Sequence, residues 1–176
     1  MIDGLPPLIE DERPPALRDV IGALMTSASR SDFAVQHVRL AAVDFSATEL
    51  ARVRCRLLLG RFDADQLADL GADRSQERIG VLAEFLDSGR LEIRTGGLLR
   101  WYPDFSVHRN GNGVQAGIAL LGTHQLGGIP GSAMPRLTAV LTGAAVGRLS
   151  RHFQRLWRAG HDVREVIRAE LGARGA

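Results

Sequence analysis

The sequence predicts an α/β fold in which a mixed β-sheet is flanked by helices on both faces. Three observations lead there. Between residues 34 and 95, strand-like and helix-like segments alternate, the rhythm of parallel strands joined by crossover helices. Within that region Arg52 to Leu59, RVRCRLLL, begins as an alternation of arginine and apolar residues and ends fully apolar. Central strands covered on both faces have that pattern. From 101 to 122, two strand-like runs flank the glycine turn NGNG, an antiparallel hairpin.

The elements follow in order. Residues 1–14, with Pro6, Pro7 and Pro14, are expected to form an irregular arm. Residues 15–172 make the single domain, with helices across 143–172 packed on it. Pro15 opens a helix that places Leu17, Ile21, Leu24 and Met25 on one face, suited to covering a sheet. Phe33 to Phe45 reads as a strand and Ser46 to Glu49 as a turn or a capped short helix. The strand RVRCRLLL stops at Gly60, and a polar stretch follows. Arg74 to Ser88 forms an amphipathic helix with Ile79, Leu82, Phe85 and Leu86 inward, closed by Gly89. Leu91 to Arg94 is a short strand, and Arg136 to Leu141 supplies another after the hairpin. Beyond Gly143, a helix carries Val146, Leu149, Phe153, Leu156 and Trp157 on one face and Arg148, Arg151, Arg155 and Arg158 on the other. A last helix starts at Asp162 as cap and packs through Val163, Val166 and Ile167.

Composition excludes several chemistries. All 22 basic residues are arginine, so there is no lysine for a Schiff base or a P-loop. The glycine-rich run Gly127-Gly128-Ile129-Pro130-Gly131 fits no phosphate-loop pattern, and no repeat at solenoid spacing occurs. A single cysteine, Cys55, permits no internal disulfide and suits a reducing cytoplasm. The acidic, proline-rich start is unlike a signal peptide, and no apolar run is long enough for a membrane span; the expected location is cytoplasmic. No cofactor is expected, and the histidines lack zinc-motif spacing. A formal charge of +2 is too small to argue for nucleic acid by itself.

Several local phrases fall in a telling order: "AAVDFS", "RLLLG", "EFLDSGRLEIR", "YPDFSVHR", "GIALLGTHQL", "RLTAVL" and "HFQRLWRAGHDV". Over roughly residues 17 to 163 this resembles one phospholipase D-like domain, of the kind found in bacterial nucleases, in restriction enzymes and beside helicases. The resemblance implies a phosphoryl-transfer cleft. In the family, a His-x-Lys pair on the first hairpin strand supplies the nucleophile and a cation, while a serine and an asparagine after the second strand hold phosphate oxygens. This chain departs at each position. The nucleophile position falls on Tyr102 and the lysine position on Asp104. The phosphate-holding positions fall on Thr123 and Gln125, and the later acidic position near Thr138. A carboxylate at 104 repels the phosphate that the lysine would hold. The resemblance therefore implies a degenerate domain without the family's activity.

Other residues compete for a role. His37-Val38-Arg39 with Asp44 copies the His-x-Lys spacing with arginine in place of lysine, but lies on an early strand. His108 shares strand parity with Tyr102 and Asp104, so it faces either their cleft or solvent at the hairpin end. His124 sits in the Gly-Thr-His-Gln turn, as an altered site or a backbone cap. His152 and His161 read as surface residues. The stripe Arg148, Arg151, Arg155 and Arg158 is either a solvated helix face or a phosphate-backbone contact, and Arg164 and Arg168 extend it.

Three functions follow as expectations. The first is a non-catalytic binding or assembly subunit in bacterial DNA processing or phage defence. The second is a phosphodiesterase or nuclease with a diverged site around Tyr102, His108 and His124. The third is a structural partner of an intact phospholipase D-like subunit. A homodimer or hetero-complex is expected from the family's pairing of two motifs around one site, with nucleic acid as a possible partner and no membrane.

Overall fold

The computed structural model describes residues 8–10, 17–36, 52–60, 62, 75–96, 104–111, 113–121 and 137–175. Among them, eight strands form one mixed sheet: β1 (Leu8–Glu10), β2 (Arg30–Val35), β3 (Arg54–Leu59), β4 (Leu91–Thr95), β5 (Phe105–Asn110), β6 (Gly113–Leu121), β7 (Leu137–Leu141) and β8 (His161–Asp162). Four helices accompany it: α1 (Leu17–Thr26), α2 (Ser75–Asp87), α3 (Gly143–Ala159) and α4 (Arg164–Gly175). The strand order is β1-β7-β6-β5-β2-β3-β4-β8. The centre, β2-β3-β4, is parallel, and every pairing outward from it is antiparallel.

Both faces are covered, as the apolar half of β3 demands: Cys55 to Leu59 are all buried. One face packs under α1, α2 and α4, where Met25, Leu82, Phe85, Leu86, Ile167 and Leu171 meet Val35, Leu57, Leu59 and Ile93. The other packs under α3, where Val146, Phe153, Leu156 and Trp157 meet Ala34, Leu58, Phe105 and Val107. Gly117 lets α3 lie close to β6, because a Cβ there would stand 2.8 Å from Val146 Cγ2. Gly89, at φ +68, closes α2 in the left-handed conformation.

The structure revises several sequence expectations. The arm is not irregular throughout: Leu8–Glu10, free of proline, adds an edge strand to β7. The strand expected from Phe33 starts three residues earlier, at Arg30, because Arg30 and Asp32 find partners inside the fold. Residues 37–51 lie outside the described residues. Arg56, in the alternating half of RVRCRLLL, is buried and paired with Asp32. Val166 points away from the core and Leu171 takes its place beside Ile167. Asp162 does cap α4, its Oδ1 accepting the Arg164 N–H at 2.8 Å.

Trp157 lies stacked 5.7 Å from Phe153 and buried beneath Arg56 and Arg94. Trp157→Ala is expected to lower stability by about 3–5 kcal/mol, read as a fall in the urea midpoint at unchanged slope; a near-neutral result would remove Trp157 from the core.

Candidate functional site

The densest polar chemistry among the described residues sits where β5, β2 and β3 run side by side under α3. Asp32, in the centre of that trio, is fully buried. An unpaired carboxylate there would be prohibitively costly, so the neighbouring strands bring cations to it. Arg56, directly opposite on β3, grips it with two bonds, Nε to Oδ1 at 2.8 Å and Nη2 to Oδ2 at 2.9 Å. Arg109 of β5 donates from Nε to Oδ2 at 3.2 Å, and Arg30 Nε lies 3.3 Å from Oδ1. The arginines are held from above as well. Arg109 Nη2 donates to Ser150 Oγ of α3 at 2.6 Å. Gln154, with its amide oxygen turned to the cluster, accepts from Arg56 Nη2 at 2.7 Å and Arg109 Nη2 at 3.0 Å. The Arg56 guanidinium also lies over Phe153 and Trp157, 4.9 and 4.8 Å from their ring centroids. Burial, together with the cations Arg56 and Arg109, holds Arg30 below its ordinary pKa, against the pull of Asp32 and Glu92.

On the opposite face at the same end of the sheet lies His108. It is neither in a cleft nor at the surface but wholly buried. Its Nδ1 is 2.9 Å from Ser31 Oγ and its Nε2 is 2.9 Å from Ser106 Oγ, and Phe33 meets the ring edge-on. Burial pushes its pKa down to about 4, so the ring is neutral at physiological pH. Cys55, on the same face, is an inert thiol, pushed up to about 12 by burial.

The other predicted positions scatter. Asp104 directly precedes β5 and is buried, its Oδ1 accepting the Gln36 backbone N–H at 2.7 Å. It acts there as a structural acceptor at the end of the β2–β5 pairing. Thr138 stands in β7 between Leu120 and Ile9. Tyr102, Thr123, His124, Gln125, His37, Arg39 and Asp44 lie outside the described residues. Arg148, Arg151, Arg155 and Arg158 are all exposed on α3. Arg155 Nη2 contacts His152 Nδ1 at 2.8 Å, whereas Arg151 and Arg158 share the helix flank of Gln154. Arg168 of α4 pairs instead with Asp87 and Glu165. Sequence reasoning passed over the Asp32 cluster. The available signal was slight: an aspartate just before one strand read from the sequence and an arginine in the alternating half of the next.

No family model matches the chain, and no curated protein does. Among solved structures it is similar to Nuc, a phospholipase D family member from Salmonella typhimurium, with a TM-score of 0.52 and 13% identity over 88% of this chain and 95% of that one. It is also similar to TrmBL2, an archaeal chromatin protein that shows a novel mode of DNA binding, with a TM-score of 0.55 and 11% identity over 91% of this chain. The chain spans about half of TrmBL2, 54% of its length. At these identities the likeness is one of fold: a mixed-sheet α/β fold shared with a phospholipase D family member.

Two outcomes are expected. Asp32→Asn leaves Arg56 buried without its counter-charge and should cost about 3–5 kcal/mol in urea unfolding. His108 binds a proton less readily folded than unfolded. Stability attributable to it is therefore present above about pH 6.5 and lost as pH falls toward about 4. His108→Gln should flatten that part of the pH–stability curve; an unchanged difference between pH 7 and pH 4.5 would count against a neutral buried ring.

Proposed function

We propose that this chain is a non-catalytic phospholipase D-like module that binds nucleic acid and serves as a binding or assembly subunit in bacterial DNA processing or phage defence. One observation carries the reading. At the position where the resemblance requires a phosphate-holding lysine stands Asp104, buried and accepting a backbone N–H, in a chain with no lysine at all. A carboxylate so placed repels a phosphate rather than holding it. His108 offers no substitute nucleophile, since both of its ring nitrogens face serine hydroxyls inside the sheet.

Support for the nucleic-acid part comes from the exposed arginines of α3 and from the shared fold with a DNA-binding chromatin protein. The unit of assembly is a homodimer or a complex with an intact phospholipase D-like subunit, and mass in solution alone and after co-expression separates the two.

The purified chain is expected to leave bis(p-nitrophenyl) phosphate and labelled DNA uncleaved while binding DNA in a salt-dependent manner. Turnover that disappears on His124→Ala would replace this reading with the diverged enzyme. Arg148→Gln with Arg155→Gln should weaken DNA binding several-fold without preference for sequence.

A further inference from the structure

The strand register assembles a second arginine array that the helix stripe does not include. Arg109 of β5 stands directly opposite Arg30 of β2, and Arg30 directly opposite Arg54 of β3. Residues paired in this way point to the same face of the sheet, here the α3 face. Neighbouring strands are about 4.8 Å apart, so three guanidinium stems cross roughly 10 Å of one sheet end. Arg54 is exposed, and Arg30 and Arg109 are half-buried with heads partly open to solvent.

Beneath the row lie Asp32 and Arg56, flanked by Glu92 opposite Arg56 on β4. Four guanidiniums therefore share this end with two carboxylates, an excess of two positive charges. Both carboxylates lie in the row behind the arginines, two residues further along the strands. Asp32 also draws in two of the three row arginines: it accepts a hydrogen bond from Arg109 Nε, and Arg30 Nε lies 3.3 Å from Oδ1 as an ion pair. Arg151 and Arg158 continue the positive surface along the Gln154 flank of α3.

We propose that the row Arg109–Arg30–Arg54 is a binding site for phosphates strung on a chain, the diester backbone of a nucleic acid or a polyphosphate. The inference deepens the nucleic-acid reading above and, for a diester ligand, rests on it. Over about 10 Å, one strand of a B-form duplex presents on the order of three phosphates at ~3.4 Å axial rise. Guanidiniums that are pre-aimed by a buried carboxylate lose little entropy on accepting such oxygens. A protein partner fits poorly, because the exposed large hydrophobic residue among the described ones, Val166, belongs to α4 on the other face. The site is also distinct from the family's catalytic position. Asp104 lies five residues from Arg109 along β5, about 17 Å away toward the other end of the sheet.

The test is fluorescence anisotropy with a labelled 20-nucleotide single strand and the same sequence as duplex, between 50 and 200 mM salt, with tripolyphosphate binding read directly by isothermal titration calorimetry. Arg30→Gln with Arg54→Gln spares the Asp32–Arg56 pair, and thermal melts confirm folding. Arg54→Gln alone, which touches none of the buried network, guards against a folding artefact. The double variant should weaken binding and flatten the slope of log K against log salt by about 1.8 for duplex or about 1.4 for single strand, the single variant by half of that. Tripolyphosphate that binds through the row while DNA does not would retain the phosphate site and overturn the nucleic-acid reading. Wild-type DNA binding whose strength and slope survive both variants would overturn the row and leave that reading standing. Binding of neither probe would overturn both.

Discussion

A single buried carboxylate, Asp32, ties together the four elements at the heart of this molecule. It sits on β2, takes a bidentate grip from β3, a third bond from β5, and through those arginines reaches Ser150 and Gln154 of α3. A slip of one residue in β2 would swing Asp32 to the face of α1, α2 and α4 and strand Arg56 beneath Phe153 and Trp157. Both outcomes bury an uncompensated charge. The pairing of three strands and the seating of one helix thus depend on the same ion cluster. Its value lies in excluding wrong registers as much as in stabilising the right one, since a buried ion pair returns little net free energy against an apolar substitute.

The opposite face of the same sheet end makes a parallel choice with neutral groups. Ser31 and Ser106 hold His108 between them on adjacent strands, and burial favours the neutral ring. Alternating residues of β2, Arg30 and Asp32 against Ser31, therefore send ionic contacts to one face and neutral hydrogen bonds to the other. Toward the C-terminal end of β2 the sequence turns apolar on both faces, with Ala34 and Val35 buried. The sheet has a polar end and an apolar end within a strand of six residues.

This division explains what was legible beforehand. The helices α2 and α3 follow from periodicity, because Ile79, Leu82, Phe85 and Leu86, and likewise Val146, Phe153, Leu156 and Trp157, all point at the sheet. The parallel centre follows from the apolar run of β3. The buried cluster does not, because an aspartate or an arginine in a strand reads as a solvent-facing residue until its cross-strand partner is known. Asp32 and Arg56 are 24 residues apart, and only the register makes them neighbours. His108 misleads for the same reason: its parity is visible in the sequence, but the two serines that bury it come from its own strand and from β2. Leu8–Glu10 escapes notice because an edge strand of three residues leaves no periodic signal.

The two ends of the sheet are held by different chemistry. At one end Asp104 is buried and accepts the Gln36 backbone N–H, closing the β2–β5 pairing. A residue so committed cannot also serve a substrate without weakening the strand that positions it. At the other end, arginines from three strands collect around one carboxylate and leave a positive excess facing outward. Both ends are held by partners drawn from neighbouring segments, while the apolar run of β3 packs between them. Neither end is free to change alone: replacing Asp32 strands Arg56 under α3, and replacing Asp104 removes the acceptor of the Gln36 N–H.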